Sequence, residues 1–178
     1  MLTQFLQPDF DTFQARAAAG NLVPVWMDLG EEFETPLSAF QQIDDGRHSF
    51  LLESAELTQH SGRYSLLGSE PRLVFTARGN EIEIEERGSK RKLTAKSDPL
   101  RELENIMAQF KPAGPAPLPV FHGGAVGYLA YDMVRFFEPT LPPPKKDELG
   151  LPDMVFMITD TVLIFDHKHR KLTVVANV

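Results

Sequence analysis

The sequence contains no cysteine and no excess of positive charge. Without cysteine, the chain has no disulfide, no thiolate metal ligand and no cysteine nucleophile. This composition fits a reducing cytoplasm, where we expect the protein to be located. Lysine and arginine number 18 against 25 aspartates and glutamates, which gives a net charge of −7. Nucleic acids and anionic lipid surfaces both attract basic faces, so the charge balance argues against either partner.

Long hydrophobic runs are also missing. No apolar stretch approaches the roughly 20 residues that a membrane-spanning helix needs. Met1 to Asp11 lacks the basic stretch that begins a signal peptide, so we expect no signal peptide and no membrane association. The remaining composition, 42% hydrophobic and 24% charged over 178 residues, is typical of a soluble globular chain. This length suffices for one domain or for a large part of a bigger protein.

Hydrophobic periodicity and turn residues predict many strands and three helices. The helices begin after the capping residues Asp9, Thr35 and Asp98, and proline follows the last two caps directly. Strands are predicted over residues 22–27, 48–54, 63–68, 72–77, 81–86, 90–95, 121–131, 154–166 and 171–178, the last two as a hairpin. This order predicts an α+β fold with antiparallel sheets packed as a sandwich and flanking helices.

Two proline-rich segments, near residues 111–119 and 139–150, interrupt this pattern as stiff connectors. The segment near residues 111–119 is the best candidate for a boundary between two parts of the chain. The sequence stops directly after the apolar strand residues Val174–Val178, without a polar tail or a covering helix. We therefore expect residues 1–178 to be part of a larger protein.

The most informative segment is Phe50–Ala55, in which Glu53 and Ser54 directly follow three apolar residues. A buried carboxylate needs a partner, because desolvation disfavours its charge. The two side chains can therefore mark the solvated end of a strand, or they can form a small polar pocket at the edge of a core. The residues alone leave both interpretations open.

Three other motifs contain residue types that can serve in catalysis or metal binding. Gly123–Gly127 lacks the Lys-Ser/Thr of a phosphate loop, so its glycines are better explained by close backbone approach within a strand. His167 and His169 beside Asp166 could bind a metal, but the surrounding turn is rich in cations. Ser54 has no convincing histidine partner for a nucleophilic triad. We identify no catalytic residue and no metal ligand in this chain.

Several short segments, taken in order and spacing, resemble the N-terminal region of anthranilate synthase component I. The likeness extends over residues 20–178. The segments that carry it are Val23–Val25, Thr35–Pro36, Leu51–Ser54, Gly62–Ser65, Gly123–Tyr128, Tyr131–Asp132, Leu149–Asp153 and Phe165–His167. Leu129-Ala130 departs from the family pattern, in which a bulkier residue is followed by glycine.

The resemblance implies an activity for the whole enzyme. That enzyme is a lyase of tryptophan biosynthesis that makes anthranilate from chorismate and from ammonia supplied by a glutamine amidotransferase subunit, and it uses Mg²⁺. Chorismate, Mg²⁺ and the catalytic residues belong to a C-terminal chorismate-binding domain that is absent from residues 1–178. We therefore expect this part to be an N-terminal regulatory region that is inactive alone.

The resemblance also implies a binding site. The N-terminal region contributes to the site at which L-tryptophan inhibits the enzyme, and the resemblance assigns Leu52, Glu53 and Ser54 to that site. A carboxylate can pair with the ammonium group of an amino acid, and a hydroxyl can bond to its polar groups. Tyr64, on the following strand, is the expected aromatic neighbour.

Two alternatives remain open from the sequence. Aminodeoxychorismate synthase component I, in the folate pathway, shares the expected architecture and can hold tryptophan as a fixed structural ligand. A free-standing amino-acid-binding module is the other. The runs Leu52–Ala55 and Gly123–Tyr128 favour anthranilate synthase, and the strand that ends at Val178 argues against a free-standing module.

Overall fold

The computed structural model of the protein describes residues 6–29, 35–53, 62–142 and 147–178. Within these ranges, the helices are α1 (Phe10–Ala17), α2 (Pro36–Ile43), α3 (Pro99–Met107) and a 3-10 helix (Tyr131–Phe136). The strands are β1 (Pro24–Asp28), β2 (Phe50–Leu52), β3 (Tyr64–Gly68), β4 (Leu73–Arg78), β5 (Glu81–Glu86), β6 (Ser89–Thr94), β7 (Gly124–Leu129), β8 (Met154–Thr159), β9 (Thr161–Asp166) and β10 (Lys171–Asn177). No described helix has the length and apolar content needed to cross a membrane.

The strands form two antiparallel sheets of five strands each. The first sheet has the order β1-β10-β9-β3-β2, and the second has the order β6-β5-β4-β8-β7. This arrangement confirms the predicted α+β class with antiparallel sheets.

Local signals placed the helices correctly. Asp9, Thr35 and Asp98 are the N-caps, and each side chain accepts a hydrogen bond from the backbone N–H three residues later, at 2.8, 3.2 and 2.9 Å. Pro36 and Pro99 occupy the first helical turn, where the missing N–H has no intrahelical partner to lose.

Two strand predictions are wrong. The predicted strand over residues 154–166 is divided between β8 in the second sheet and β9 in the first. The break lies at the polar residues Thr159-Asp160-Thr161, a local signal that the prediction of one continuous strand overlooked. The predicted buried strand over residues 121–131 is shorter, as β7, and its final residues are exposed because it lies at a sheet edge. The hairpin of β9 with β10 is confirmed.

The chain divides into two compact units. One comprises Met1–Pro71, Phe110–Gly124 and Thr159–Val178, and the other comprises Arg72–Gln109 and Ala125–Ile158. The proline-rich segment 111–119 starts next to the boundary at Phe110. The segment 139–150 falls inside the second unit, and its residues 143–146 lie outside the described residues.

The first unit contains the first sheet, and apolar side chains cover both of its faces. On one face, Trp26, Val162, Ile164 and Val175 form a buried cluster with neighbours that include Tyr64 and Leu66. On the other face, a buried cluster lies against the apolar side of α2; it consists of Leu67, Phe165 and Leu172 packed with Ala39, Phe40 and Ile43. The start of β3 is thus held between two cores.

The second unit contains the second sheet and α3. Its sheet residues Phe75, Ile82, Ile84 and Met154 are almost fully buried. The strict alternation predicted for β5 holds, since Ile82 and Ile84 are buried while Glu81, Glu83 and Glu85 are more exposed. Glu83 and Glu85 both form ion pairs with Lys90 of β6.

Candidate functional site

The predicted site residues lie where β2 ends and β3 begins. Leu52 is the last residue of β2 and is 46% exposed, and Glu53 follows it directly. Tyr64 is the first residue of β3 and is half-buried. Ser54, the fourth predicted residue, lies outside the described residues.

The register of β2 against β3 divides the predicted residues between the two faces of the sheet. Leu52 is paired with Leu66, so the two side chains share a face, and Tyr64 lies on that face because it is two residues from Leu66. Glu53 lies on the opposite side, where its carboxylate meets Ser65. The structure therefore brings Leu52 and Tyr64 to one face and Glu53 to the other.

Glu53 belongs to a hydrogen-bonded chain of three side chains. The Ser65 hydroxyl donates to Glu53 Oε1 at 3.1 Å and lies 2.7 Å from Nε2 of His167. Because that hydroxyl has one proton, His167 must carry a proton on Nε2 and donate it to the Ser65 oxygen. Ser65 is 1% exposed, whereas Glu53 is exposed. These hydrogen bonds thus hold one carboxylate oxygen of Glu53 from the buried side, while the carboxylate group faces solvent.

These three hydrogen-bonded side chains do not form a nucleophilic triad. In a triad the histidine stands between the acid and the serine, whereas here the serine stands between the acid and the histidine. The Ser65 hydroxyl is also too buried to reach a substrate. What the arrangement can do is hold Glu53 in a defined position for a cationic group of a ligand.

A second polar cluster surrounds Asp166 on the Tyr64 face. Its carboxylate accepts from Arg63 Nη2 at 2.6 Å, from the backbone of Lys168 at 3.1 Å and from His169 Nδ1 at 2.9 Å. Burial raises the pKa of the Asp166 carboxyl, but the hydrogen bonds from Arg63 and His169 outweigh burial and hold that pKa well below its usual range. The Arg63 guanidinium also lies 4.7 Å from the centre of the Tyr64 ring.

The two histidines of the β9–β10 turn have separate partners. His167 bonds to Ser65 and His169 bonds to Asp166, so the arrangement does not bring the two rings together as a ligand pair. Across the described ranges, no group of three or more histidine, aspartate or glutamate side chains could hold a metal ion.

A cavity of about 280 Å³ opens beside Tyr64 on the same face as Asp166. Its apolar walls are Trp26, Tyr64, Pro117, Leu118, Pro119 and Ile164, and its polar rim is Arg63, Asp166, His169, Lys171 and Thr173. Both rim cations already have carboxylate partners, since Arg63 pairs with Asp166 and Lys171 pairs with Asp28 at 2.7 Å. The rim is therefore close to electrically balanced.

Sequence reasoning considered His167 as a metal ligand but missed its contact with Ser65. The two residues are separated by 102 positions and meet only because β3 and β9 are neighbours in the first sheet. No local pattern reports that pairing. The one available signal was Ser65 itself, a polar residue between Tyr64 and Leu66 in a strand whose other inward side chain, Leu67, is fully buried.

Comparison with known proteins gives the family. The family model described as chorismate binding enzyme matches residues 47–178, well over half of the chain. The chain belongs to the chorismate-binding enzyme family. This family membership, together with the relatives below, confirms the resemblance to anthranilate synthase component I that the sequence motifs indicated.

The curated relatives of this chorismate-binding family member are much longer than the chain. Anthranilate synthase component 1 of Acetivibrio thermocellus is 39% identical over 171 residues, which cover 96% of this chain and 34% of that protein. Its counterpart in Saccharomyces cerevisiae is 34% identical, over 97% of this chain and 34% of that protein. A crystal structure of anthranilate synthase component I from Streptococcus pneumoniae matches with 29% identity and a TM-score of 0.47, over 78% of this chain and 28% of that one. The chain spans about a third of the length of these relatives.

Proposed function

We propose that residues 1–178 are the N-terminal part of an anthranilate synthase component I and contribute to its feedback-inhibitory L-tryptophan site. The observation that carries this proposal is the 39% identity with the Acetivibrio thermocellus protein across 96% of this chain. The whole enzyme would be a lyase that makes anthranilate from chorismate and glutamine-derived ammonia. It would act with a glutamine amidotransferase subunit. The relatives named above are anthranilate synthases, which favours this enzyme over its folate-pathway counterpart.

The binding role is proposed for the end of β2. Glu53 presents an exposed carboxylate whose Oε1 is held by Ser65, and this geometry suits the ammonium group of an amino acid. Ser54 is the next residue in the chain and would bond to a polar group of the ligand. Leu52 and Tyr64 would supply apolar and aromatic contact for an indole ring, from the other face of the sheet.

The catalytic role is proposed to lie outside residues 1–178. The described residues that come closest to a catalytic set are Glu53, Ser65 and His167, and their order and burial do not allow nucleophilic catalysis. The Mg²⁺ of the whole enzyme would likewise be bound by the remaining part of the subunit. Residues 1–178 alone should therefore form no anthranilate, which a fluorescence assay with chorismate, ammonia and Mg²⁺ measures.

Inhibition of the full-length subunit by tryptophan tests the site. Losing a hydroxyl bond costs roughly 0.5–1.5 kcal/mol, and losing a charge-assisted bond costs about 1.5–3 kcal/mol. Ser54→Ala should therefore raise the tryptophan concentration for half inhibition several-fold, and Glu53→Gln should raise it about tenfold or more. Each curve is normalised to the uninhibited rate of the same variant.

Matched variants in the second unit serve as controls. Glu86→Gln and Ser89→Ala make the same chemical changes at a partly exposed position of β5 and an exposed position of β6, and they should leave the inhibition curve unchanged. If the curves of Ser54→Ala and Glu53→Gln overlay that of the wild type while both proteins stay folded, the assignment of the tryptophan site to the end of β2 is refuted.

A further inference from the structure

The strand β7 forms an outer edge of the second sheet. It lies beside β8, and no other strand of the described residues lies on its far side. A free edge presents unpaired backbone groups, and proteins normally protect such an edge with charge, proline, a bulge or a covering segment.

The two edges of this sheet differ in their protection. The edge strand β6 carries three consecutive cations, Lys90, Arg91 and Lys92, which oppose pairing with another strand. The edge strand β7 has the sequence GAVGYL and carries no charge. Of the two edges, β7 is therefore the one whose chemistry suits an additional strand.

The exposed end of β7 is apolar on both faces. Tyr128 is 43% exposed and Leu129 is 45% exposed. Consecutive side chains of a strand point to opposite faces, so apolar surface is open to solvent on each side of the sheet. Tyr131, two residues beyond the strand and the first residue of the 3-10 helix, is 89% exposed. The exposed end of β7 therefore lacks the charged side chains that normally protect a free strand edge.

The backbone of β7 is held in position for pairing. The N–H of Ala130 donates to Asp153 O at 2.8 Å, and the Tyr128 hydroxyl donates to Pro152 O at 3.0 Å. Because backbone groups alternate in direction along an antiparallel pair, the N–H and C=O groups of Gly127 and Leu129 then point away from β8. The glycine at 127 allows close contact with β8, since a Cβ there would overlap the carbonyl oxygen of Val155.

We propose that β7 is an internal strand of the complete subunit, extended by a strand that is apolar on both faces and is supplied by the part of the subunit beyond residues 1–178. This inference rests on the proposed function, under which this chain is about a third of the subunit. The length of the relatives supports this choice of partner strand. The chain matches 34% of the Acetivibrio thermocellus protein, so a subunit of that length has about two thirds of its residues beyond this part, and these can contribute the strand.

A second copy of this chain is the less favourable occupant. A stable interface between separate proteins buries about 1,200 Å² or more, and a pair of six-residue strands offers little beyond its own edge. A strand in the same polypeptide needs no such area, because covalent connection raises its effective concentration to about the millimolar range.

Hydrogen exchange of single backbone amides tests the proposal. The amides of Gly127 and Leu129 are compared in dilute samples of the 178-residue chain and of the full-length subunit. We expect both to exchange at least about tenfold more slowly in the full-length subunit, because pairing buries and bonds them. The amide of Ala130, which bonds to Asp153, should be protected in both proteins and serves as the internal reference.

A pair of lysine substitutions gives a second measurement. Leu129→Lys should lower the melting temperature of the full-length subunit by several degrees and should leave that of the 178-residue chain nearly unchanged. Ser89→Lys, on the charged edge strand β6, should change neither.

Three results would overturn the inference. They are equal exchange of Gly127 and Leu129 in the two proteins, equal effects of Leu129→Lys on both, and protection in the 178-residue chain that increases with its concentration. The last result would identify a second copy as the occupant. Anthranilate formation and its inhibition by tryptophan are measured separately on the same full-length subunit. These assays test the proposed function, whereas hydrogen exchange and the melting temperatures test the pairing of β7.

Discussion

Replacing Asp166 by asparagine should destabilise the chain and make its stability less dependent on pH. The wild-type carboxylate accepts hydrogen bonds from Arg63, His169 and the backbone of the β9–β10 turn. Asparagine keeps one oxygen that can accept from the turn, but it loses the charge and turns an NH₂ group toward the donors of Arg63. The substitution therefore tests the charge of Asp166 rather than the shape of the turn.

The magnitude follows from the exposure of the two partners. Breaking a buried ion pair costs about 3–5 kcal/mol, and breaking an exposed pair costs at most about 1 kcal/mol. The Asp166 side chain is 13% exposed, but that of Arg63 is 42% exposed, so water can solvate the guanidinium in the variant. We expect the free energy of unfolding at pH 7 to fall by about 1–3 kcal/mol in Asp166→Asn.

The pH dependence has a defined sign. The pKa of Asp166 in the folded protein is lower than in the unfolded chain, where it is about 3.9. Its contribution to stability is therefore complete above the unfolded value and is lost as the pH falls toward the folded value. The stability difference between the wild type and Asp166→Asn should be constant from pH 7 to about pH 5 and should shrink below about pH 4.

Denaturant unfolding across this pH range gives the measurement. Glu86→Gln, which removes the carboxylate of an exposed pair with Arg72 at 3.6 Å, is the control and should change stability by less than about 1 kcal/mol. A variant Asp166→Asn as stable as the wild type at pH 7 would refute the argument. So would a stability difference that persists unchanged at pH 3.

Two further predictions concern backbone positions. Gly127→Ala should lower the free energy of unfolding by about 1–3 kcal/mol, because the new methyl group overlaps the Val155 carbonyl and β7 must move away from β8; an unchanged unfolding midpoint would contradict this. Asp98→Ala should cost about 0.5–2 kcal/mol through loss of the α3 cap, whereas Asp98→Asn should keep most of the stability because asparagine caps equally well; equal losses in both variants, measured by thermal unfolding, would show that the cap is not the cause.

Features set by neighbouring residues could be predicted from the sequence. A cap such as Thr35 and the proline that follows it act within one helical turn, so the start of α2 is encoded locally. The alternation of glutamate and isoleucine likewise identified β5 from end to end, because one face of that strand is buried and the other is solvated.

Features set by distant pairings could not be predicted. The polar residues Thr159-Asp160-Thr161 interrupt the apolar pattern between β8 and β9, but the sequence does not show that the two strands join different sheets. The contact of Ser65 with His167 depends on β3 lying beside β9, with about 100 residues between them in the chain. The exposure of Leu129 depends on which strands lie next to β7, which its own residues do not reveal.

The register of β2 against β3 sets a geometric condition on the candidate site. Glu53 meets Ser65 on one face of the sheet, whereas Leu52 and Tyr64 belong to the other face. A ligand lying flat on either face would therefore reach only one of these groups. A single amino acid could contact both groups only across the end of β2, which stops at Leu52 and is the edge strand of the first sheet. Because Glu53 follows that end and Tyr64 opens the neighbouring strand, the end of β2 is the position at which the proposed site residues can act together.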